Sequence, residues 1–168
     1  MSADVIELIM ADHRRFEELF RLLRDRTSDR AKVLDELAHL LVAHAEAEEA
    51  EVYPALRRYK DIPDGEVDHG REEHAEGHQA LLALMEIEDT EADAWEDALE
   101  ELVTAINHHV DEEERTILND ARENVADSRR AELGERFVTV RDERIKAGCG
   151  ELAHVREVAE QTKDRIDD

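Results

Sequence analysis

The chain has 168 residues with a formal net charge of −24, 41% hydrophobic residues and only 4% aromatics. That length supports one domain with a real core. The acidity would repel a phosphate backbone or an anionic membrane, which excludes direct nucleic-acid binding and membrane-surface binding as expected roles. Few Gly and Pro, abundant Ala, Leu, Glu and Arg, and no β-branched runs of strand length predict an all-α protein. Only four residues are Lys (Lys32, Lys60, Lys146, Lys163), a balance found both in high-salt adaptation and in ordinary acidic proteins. The single cysteine, Cys149, rules out an internal disulfide and lies between Gly148 and Gly150 in an expected loop, with no activating partner in sight. Residues 1–12 lack a basic leader-like region, and no apolar run approaches the roughly 20 residues of a membrane span, so the expected location is cytoplasmic.

Helical periodicity sets the elements. The first helix is expected over 3–25, capped by Ser2, with the stripe Val5, Ile9, His13, Phe16, Phe20, Leu23. A turn at Thr27-Ser28-Asp29 leads, with Ser28 as cap, into a second helix over 30–58 whose stripe reads Leu37, Leu41, His44, Glu48, Val52. Pro54 predicts a kink or an early stop there. After the turn-forming stretch Asp61 to Gly65, the third helix is expected over 66–88 with His74, His78, Leu81 and Met85 on its inner face. Gly77 beside that pair leaves room for a close helix approach. A capping box at Thr90-x-x-Asp93 opens the fourth helix, 91–123, whose stripe is Leu102, Ile106, His109, Glu113, Ile117. A fifth helix is expected over 128–146, bearing Leu133, Phe137, Val140 and Ile145. Residues 151–166 form a polar terminal segment expected to fray. The expected domain plan is a four-helix bundle over 1–125 with a C-terminal extension, 126–168, packed on it or trailing from it.

Two of these stripes repeat one pattern. His44-x3-Glu48 and His109-x3-Glu113 sit 65 residues apart in stripes with identical spacing. Steps of three and four keep side chains on one helix face, so each helix drives an imidazole and a carboxylate into an apolar interior. A buried carboxylate without a partner costs several kcal/mol by rough magnitude, which points to a cation. His108 lies on the polar face of its helix and His109 on the apolar one. His39, His69, His108 and His154 all fall outside the stripes. The inward set is then His13, His44, Glu48, His74, His78, His109 and Glu113, enough for two metal ions with a coordination position left open. Imidazole with carboxylate suits iron, manganese or zinc rather than calcium or magnesium. The alternative for any one of these is a satisfied polar core residue. Two further residues stand near the set. Glu51 lies on the same face of an ideal helix, as an extra ligand or a partly solvated carboxylate. Tyr53, nine residues from His44, points to the opposite face unless the helix is distorted near Pro54.

His13, His44-x3-Glu48, His74-x3-His78 and His109-x3-Glu113 together resemble the hemerythrin-like, or HHE cation-binding, domain family of the bacterial and actinobacterial type. The likeness covers about residues 1–122. It extends to the flanks Ala11-Asp12-His13-Arg14-Arg15-Phe16, Glu48-Glu49-Ala50-Glu51-Val52-Tyr53-Pro54 and Glu73-His74. The resemblance implies an up-down-up-down four-helix bundle holding two non-haem iron ions, oxo- or carboxylate-bridged, with manganese or zinc as lesser alternatives. By resemblance Glu48 and Glu113 bridge; His74, His78 and His109 complete one iron, and His13 and His44 the other. The last motif has three intervening residues and ends in Glu, where oxygen-carrying hemerythrins have four and Asp. The tail is longer than the minimal domain and resembles an added helix in actinobacterial relatives. Both departures favour sensing or stress-related members over a dedicated oxygen carrier. The implied function is binding of O2, peroxide or NO at the di-iron centre, in redox sensing or oxidative-stress defence. A catalase- or peroxidase-like enzyme and an iron-handling or metal-responsive protein are the competing readings.

Overall fold

The computed structural model describes residues 3–166, and among them every regular element is helical. In chain order these are α1 (Val5–Arg24), α2 (Arg30–Ala47), a π-helical turn (Glu48–Val52), α3 (Tyr53–Leu56), α4 (Asp64–Met85), α5 (Asp93–Arg115), α6 (Ile117–Asn124), α7 (Asp127–Lys146), α8 (Leu152–Thr162) and a closing 3-10 turn (Lys163–Arg165). Helices α1, α2, α4 and α5 form an up-down-up-down bundle. Helix α7 packs on α1 and α2, and α8 packs on α4.

The stripes fold as their periodicity requires. Val5, Ile9, His13, Phe16, Phe20 and Leu23 are all buried on α1, and the α2 and α5 stripes are buried throughout. Met85 is only half-buried, and Leu84 takes the inner position at that end of α4. The apolar residues separate into two clusters. One holds Phe16, Leu41, Leu81 and Ile106. The other holds Ile9, Ala47, Val67 and Ile117. Four of the five inward histidines fall at the seam between them: His13 between Ile9 and Phe16, His44 between Leu41 and Ala47, His74 between Val67 and Leu81, His109 between Ile106 and Ile117. The polar groups are thereby enclosed from both ends of the bundle.

Several local expectations are corrected. Ser2 lies outside the described residues; Asp4 caps α1 by accepting from the Ile6 N–H at 2.8 Å. Asp29, not Ser28, caps α2 by accepting from Lys32 N–H, while the Ser28 hydroxyl turns back to the Leu22 and Asp25 carbonyls and closes α1. No capping box forms at Thr90 and Asp93, because Asp93 already lies in the first turn of α5 behind Ala92. The expected fourth helix is broken at Thr116, whose hydroxyl bonds the Glu112 carbonyl at 2.7 Å and competes with the helical ladder. The terminal segment is docked rather than frayed, since α8 buries Val155, Val158, Ala159 and Thr162. Cys149 is buried, donates to the His39 carbonyl at 3.3 Å, and its thiol is pushed up to about 11 by burial, which makes it unreactive. Gly77 does admit a close approach: a methyl group there would meet Ile106 at 2.9 Å.

Candidate metal centre

Six of the seven inward residues converge. Glu48, His74, His109 and Glu113 each offer a ligand atom within 4.8 Å of the others, and His13, His44 and Glu113 do the same. The imidazoles form two pairs, His13 with His44 (ring centroids 5.2 Å apart) and His74 with His109 (4.7 Å). Each glutamate spans the pairs. Glu48 Oε1 lies 3.0 Å from His44 Nε2 and 3.2 Å from His74 Nε2. Glu113 reaches His13 Nε2 with Oε1 at 3.1 Å and His109 Nε2 with Oε2 at 3.6 Å. His78 is buried on the same side as His74 but stands apart from both ligand groups. It lines a small void with Phe16, Gly77, Ile106 and His109, and neither of its ring nitrogens has a partner.

An outer ring of carboxylates orients these histidines. His13 Nδ1 donates to Glu114 at 2.9 Å, His44 Nδ1 to Asp12 at 2.9 Å, His74 Nδ1 to Glu49 at 2.7 Å and His109 Nδ1 to Glu73 at 3.2 Å. A carboxylate can only accept, so each bond keeps the proton on Nδ1 and turns the Nε2 lone pair inward, the tautomer a metal requires. Spacing does not single out these four acids as functional. Their sequence signal is adjacency: Asp12, Glu49, Glu73 and Glu114 each neighbour one of the inward residues. Two are anchored in turn by the C-terminal extension. Arg141 of α7 donates to Asp12 at 2.8 Å, and Arg165 of the closing turn bonds Glu49 at 3.0 Å.

The π-helical turn decides where Tyr53 goes. One extra residue in that turn rotates the following side chains by about 100° relative to an ideal α-helix. That is the distortion near Pro54 on which Tyr53 depended. Its ring stacks on His74 with centroids 5.5 Å apart, and its hydroxyl donates to Glu113 Oε2. Gly70 makes the space, since a methyl group there would sit 2.9 Å from the Tyr53 hydroxyl. Burial, then the negative charge of Glu113, hold the Tyr53 pKa well above its usual value, so in the metal-free protein its hydroxyl keeps its proton and donates to Glu113. Glu51 stays half-exposed and outside the ligand groups.

The electrostatics also fit a cation. Burial alone would push His44 and His74 down, but their carboxylate neighbours outweigh it and hold them at about 10 and about 9. Glu48 is likewise held well below its usual range by His44 and His74, against the opposing effect of burial. His78 has no such neighbour, so burial and the charge on His74 push it down to about 3 and it stays neutral. His13 Nε2, His44 Nε2, His109 Nε2, Glu48 Oε2 and Glu113 Oε1 are buried without a hydrogen-bond partner, although acids and imidazoles stand about 3 Å apart. Imidazole nitrogens and carboxylate oxygens that converge without hydrogen-bond alignment suit a ligand set for a cation, which would take the place of the protons on those imidazoles.

A helical bundle with carboxylates and imidazoles projecting from all four core helices defines a class of metal-binding bundle. The Hemerythrin HHE cation binding domain matches residues 4–121, and the chain belongs to that family. Its fold is similar to the crystal structure of a hemerythrin HHE cation binding domain-containing protein from Mycobacterium kansasii, with a TM-score of 0.80 and 23% identity over 92% of this chain and 98% of that one. No curated protein sequence matches the chain.

Proposed function

We propose that the seven residues His13, His44, Glu48, His74, His78, His109 and Glu113 hold two iron ions, and that the centre binds O2, peroxide or NO. The observation that carries this reading is the way each glutamate spans the two imidazole pairs. Glu48 faces one imidazole from each pair, and so does Glu113. A single ion would need neither pairing nor two spanning carboxylates. In this assignment His13 and His44 serve one ion and His74, His78 and His109 the other. Residues 1–125 supply the centre and 126–168 brace it. When bound, such a pair supplies accessible one-electron redox chemistry and an open position for a small ligand.

The chain's own residues shape what that position accepts. The void beside His78 is about 20 Å³, room for about one water-sized molecule, and is bounded by Phe16, Leu41, Gly77 and Ile106. That size and lining suit a diatomic or peroxide. The Tyr53 hydroxyl supplies a proton-bearing group within the site, and the outer carboxylates hold the imidazoles in one tautomer. No helix among the described residues is long and apolar enough to cross a membrane.

The test is metal analysis of protein purified in air, with its optical spectrum before and after anaerobic reduction and exposure to O2, NO and H2O2. Two irons per chain, near-ultraviolet charge-transfer bands and a reversible response to O2 or NO are expected. One tightly bound ion per folded chain overturns the dinuclear assignment. Sustained O2 evolution from H2O2 favours a catalase-like enzyme, and a loaded centre indifferent to all three ligands favours iron handling.

A further inference from the structure

Glu73 has a second face. Its Oε1 accepts from His109, whereas Oε2 is buried with no hydrogen-bond partner. Outside it stand two imidazoles that the buried centre does not use. His108 Nε2 of α5 lies 3.2 Å from Glu73 Oε2, and His69 Nε2, one helical turn before Glu73 on α4, lies 3.7 Å from the same oxygen. One ligand atom from each of the three residues falls within 4.8 Å of the others. The histidines are 51% and 59% exposed, while Glu73 is 4% exposed. Thus two exposed imidazoles converge from solvent on a buried carboxylate oxygen that lies within ion-pair distance of both but has no aligned hydrogen bond. Leaving such an oxygen buried and unsatisfied costs about 1–3 kcal/mol, so a partner for it is expected.

The geometry suits an ion. Bonds of about 2.0–2.2 Å to a tetrahedral or octahedral first-row cation place neighbouring ligand atoms roughly 3–3.5 Å apart. The two observed separations need shifts of only a few tenths of an ångström, which exposed imidazoles can supply. Two nitrogens and one carboxylate oxygen, with remaining positions open to water, select Fe(II) or Zn(II) over Mg(II) or Ca(II). Two of the three, His69 and Glu73, also line a cavity of about 240 Å³ together with Glu66, Glu112, Thr116 and the buried Glu113, and His108 reaches Glu73 from beside it. The surrounding acidity, −24 in net charge, raises the local concentration of any cation.

We propose that His69, Glu73 and His108 form a third, exchangeable site for a first-row divalent cation at the mouth of this cavity. It is distinct from the buried centre and does not depend on how many ions that centre holds. Glu73 links the two, offering Oε2 outward while Oε1 orients His109.

The experiment compares wild-type protein, purified in air with its iron content measured first, with His69→Ala, His108→Ala and the double variant. Each is titrated with Co(II) in excess Mg(II), read by visible d–d absorbance and equilibrium dialysis. Both substitutions are at exposed positions, so circular dichroism should match wild type. Wild type is expected to take up one more Co(II) than the double variant, and each single substitution is expected to weaken that site at least tenfold. Equal Co(II) uptake and affinity in wild type and double variant would overturn the proposal. Iron content reads the buried centre separately: a low value counts against the di-iron assignment, and the Co(II) difference between the two proteins still decides the mouth site.

Discussion

His13 and His44 pack against the phenylalanine rings of α1 and α7, whereas on the other side Tyr53 stacks on His74 but no aromatic ring among the described residues closes over His78. On the first side Phe16 lies 6.0 Å from His13 and edge-on to His44 at 5.2 Å, and Phe137 of α7 closes His44 from outside at 5.5 Å. On the second side His74, His78 and His109 line the void, which His44 also touches, the larger cavity reaches Glu113, and neither ring nitrogen of His78 has a hydrogen-bond partner. Both sides carry the same device, a carboxylate behind an imidazole and an arginine behind the carboxylate: Arg141–Asp12–His44 and Arg165–Glu49–His74. The difference teaches that orientation is provided equally on the two sides and access is not. If the centre holds two ions, the space for a small ligand is the void that three imidazoles of the His74 side line and that His44 touches from the other.

The largest effect should come from removing what the two sides share. Glu48→Ala or Glu113→Ala takes away a group that faces both imidazole pairs, and metal analysis should show a fall from two tightly bound ions to one or none. Two retained ions would mean that the sides are independent. Removing all metal should cost stability. If the site is loaded at about 1,000 times Kd, binding contributes about 4 kcal/mol, which for a chain of this size is roughly 8–16 °C in Tm. Equal Tm for verified apo and loaded protein would return these residues to the role of a polar core.

The outer acids should matter less than the ligands, and about equally on the two sides. Asp12→Asn and Glu49→Gln should each weaken metal binding by about 10- to 100-fold, the usual range for partners of ligating histidines. Arg141→Gln and Arg165→Gln should have smaller effects in the same direction. A large loss on only one side, measured by competition with a chelator, would break the symmetry of the device. His108→Ala should leave the buried metal bound, while His109→Ala should release it.

A pH series sharpens the same picture. In metal-free protein His44 and His74 are raised from 6.5 to about 10 and about 9, so the stability they contribute is fully present below pH 6.5 and is lost as pH rises through 9 to 10. In loaded protein metal takes the place of those protons, and proton competition falls on the acid side instead. The Tm gap between loaded and apo forms should therefore widen between about pH 6.5 and 9, followed by circular dichroism at 222 nm; a constant gap would contradict these shifts. The smallest effect is expected for Tyr53→Phe. It deletes one hydrogen bond to a charged acceptor, about 1.5–3 kcal/mol before relaxation, and should lower Tm by a few degrees with both ions retained.

Much of the site was legible in the sequence because helical periodicity converts spacing directly into a face. The stripes through His13, His44, Glu48, His109 and Glu113 identify the inward groups, and the same phase separates His109 from the exposed His108. Four features were not legible, since each depends on contacts between distant segments or on a local departure from the ideal helix. The π-helical turn at Glu48–Val52 brings Tyr53 to Glu113, a rotation that a period of 3.6 residues does not contain. The outer carboxylates are hidden in a chain rich in Glu and Asp, where only packing shows which of them meets an imidazole. The C-terminal extension reads as polar and loosely periodic, yet it buries Phe137 against His44 and sends Arg141 and Arg165 to the acids behind the site. The mouth cluster joins α4 to α5 through His69, Glu73 and His108, none of which lies on an apolar stripe. The sequence by itself determined which helix faces turn inward, because burial of apolar area is decided residue by residue along each helix. Only the tertiary structure decided which polar groups meet, because that depends on how four helices and their covering extension are set against one another.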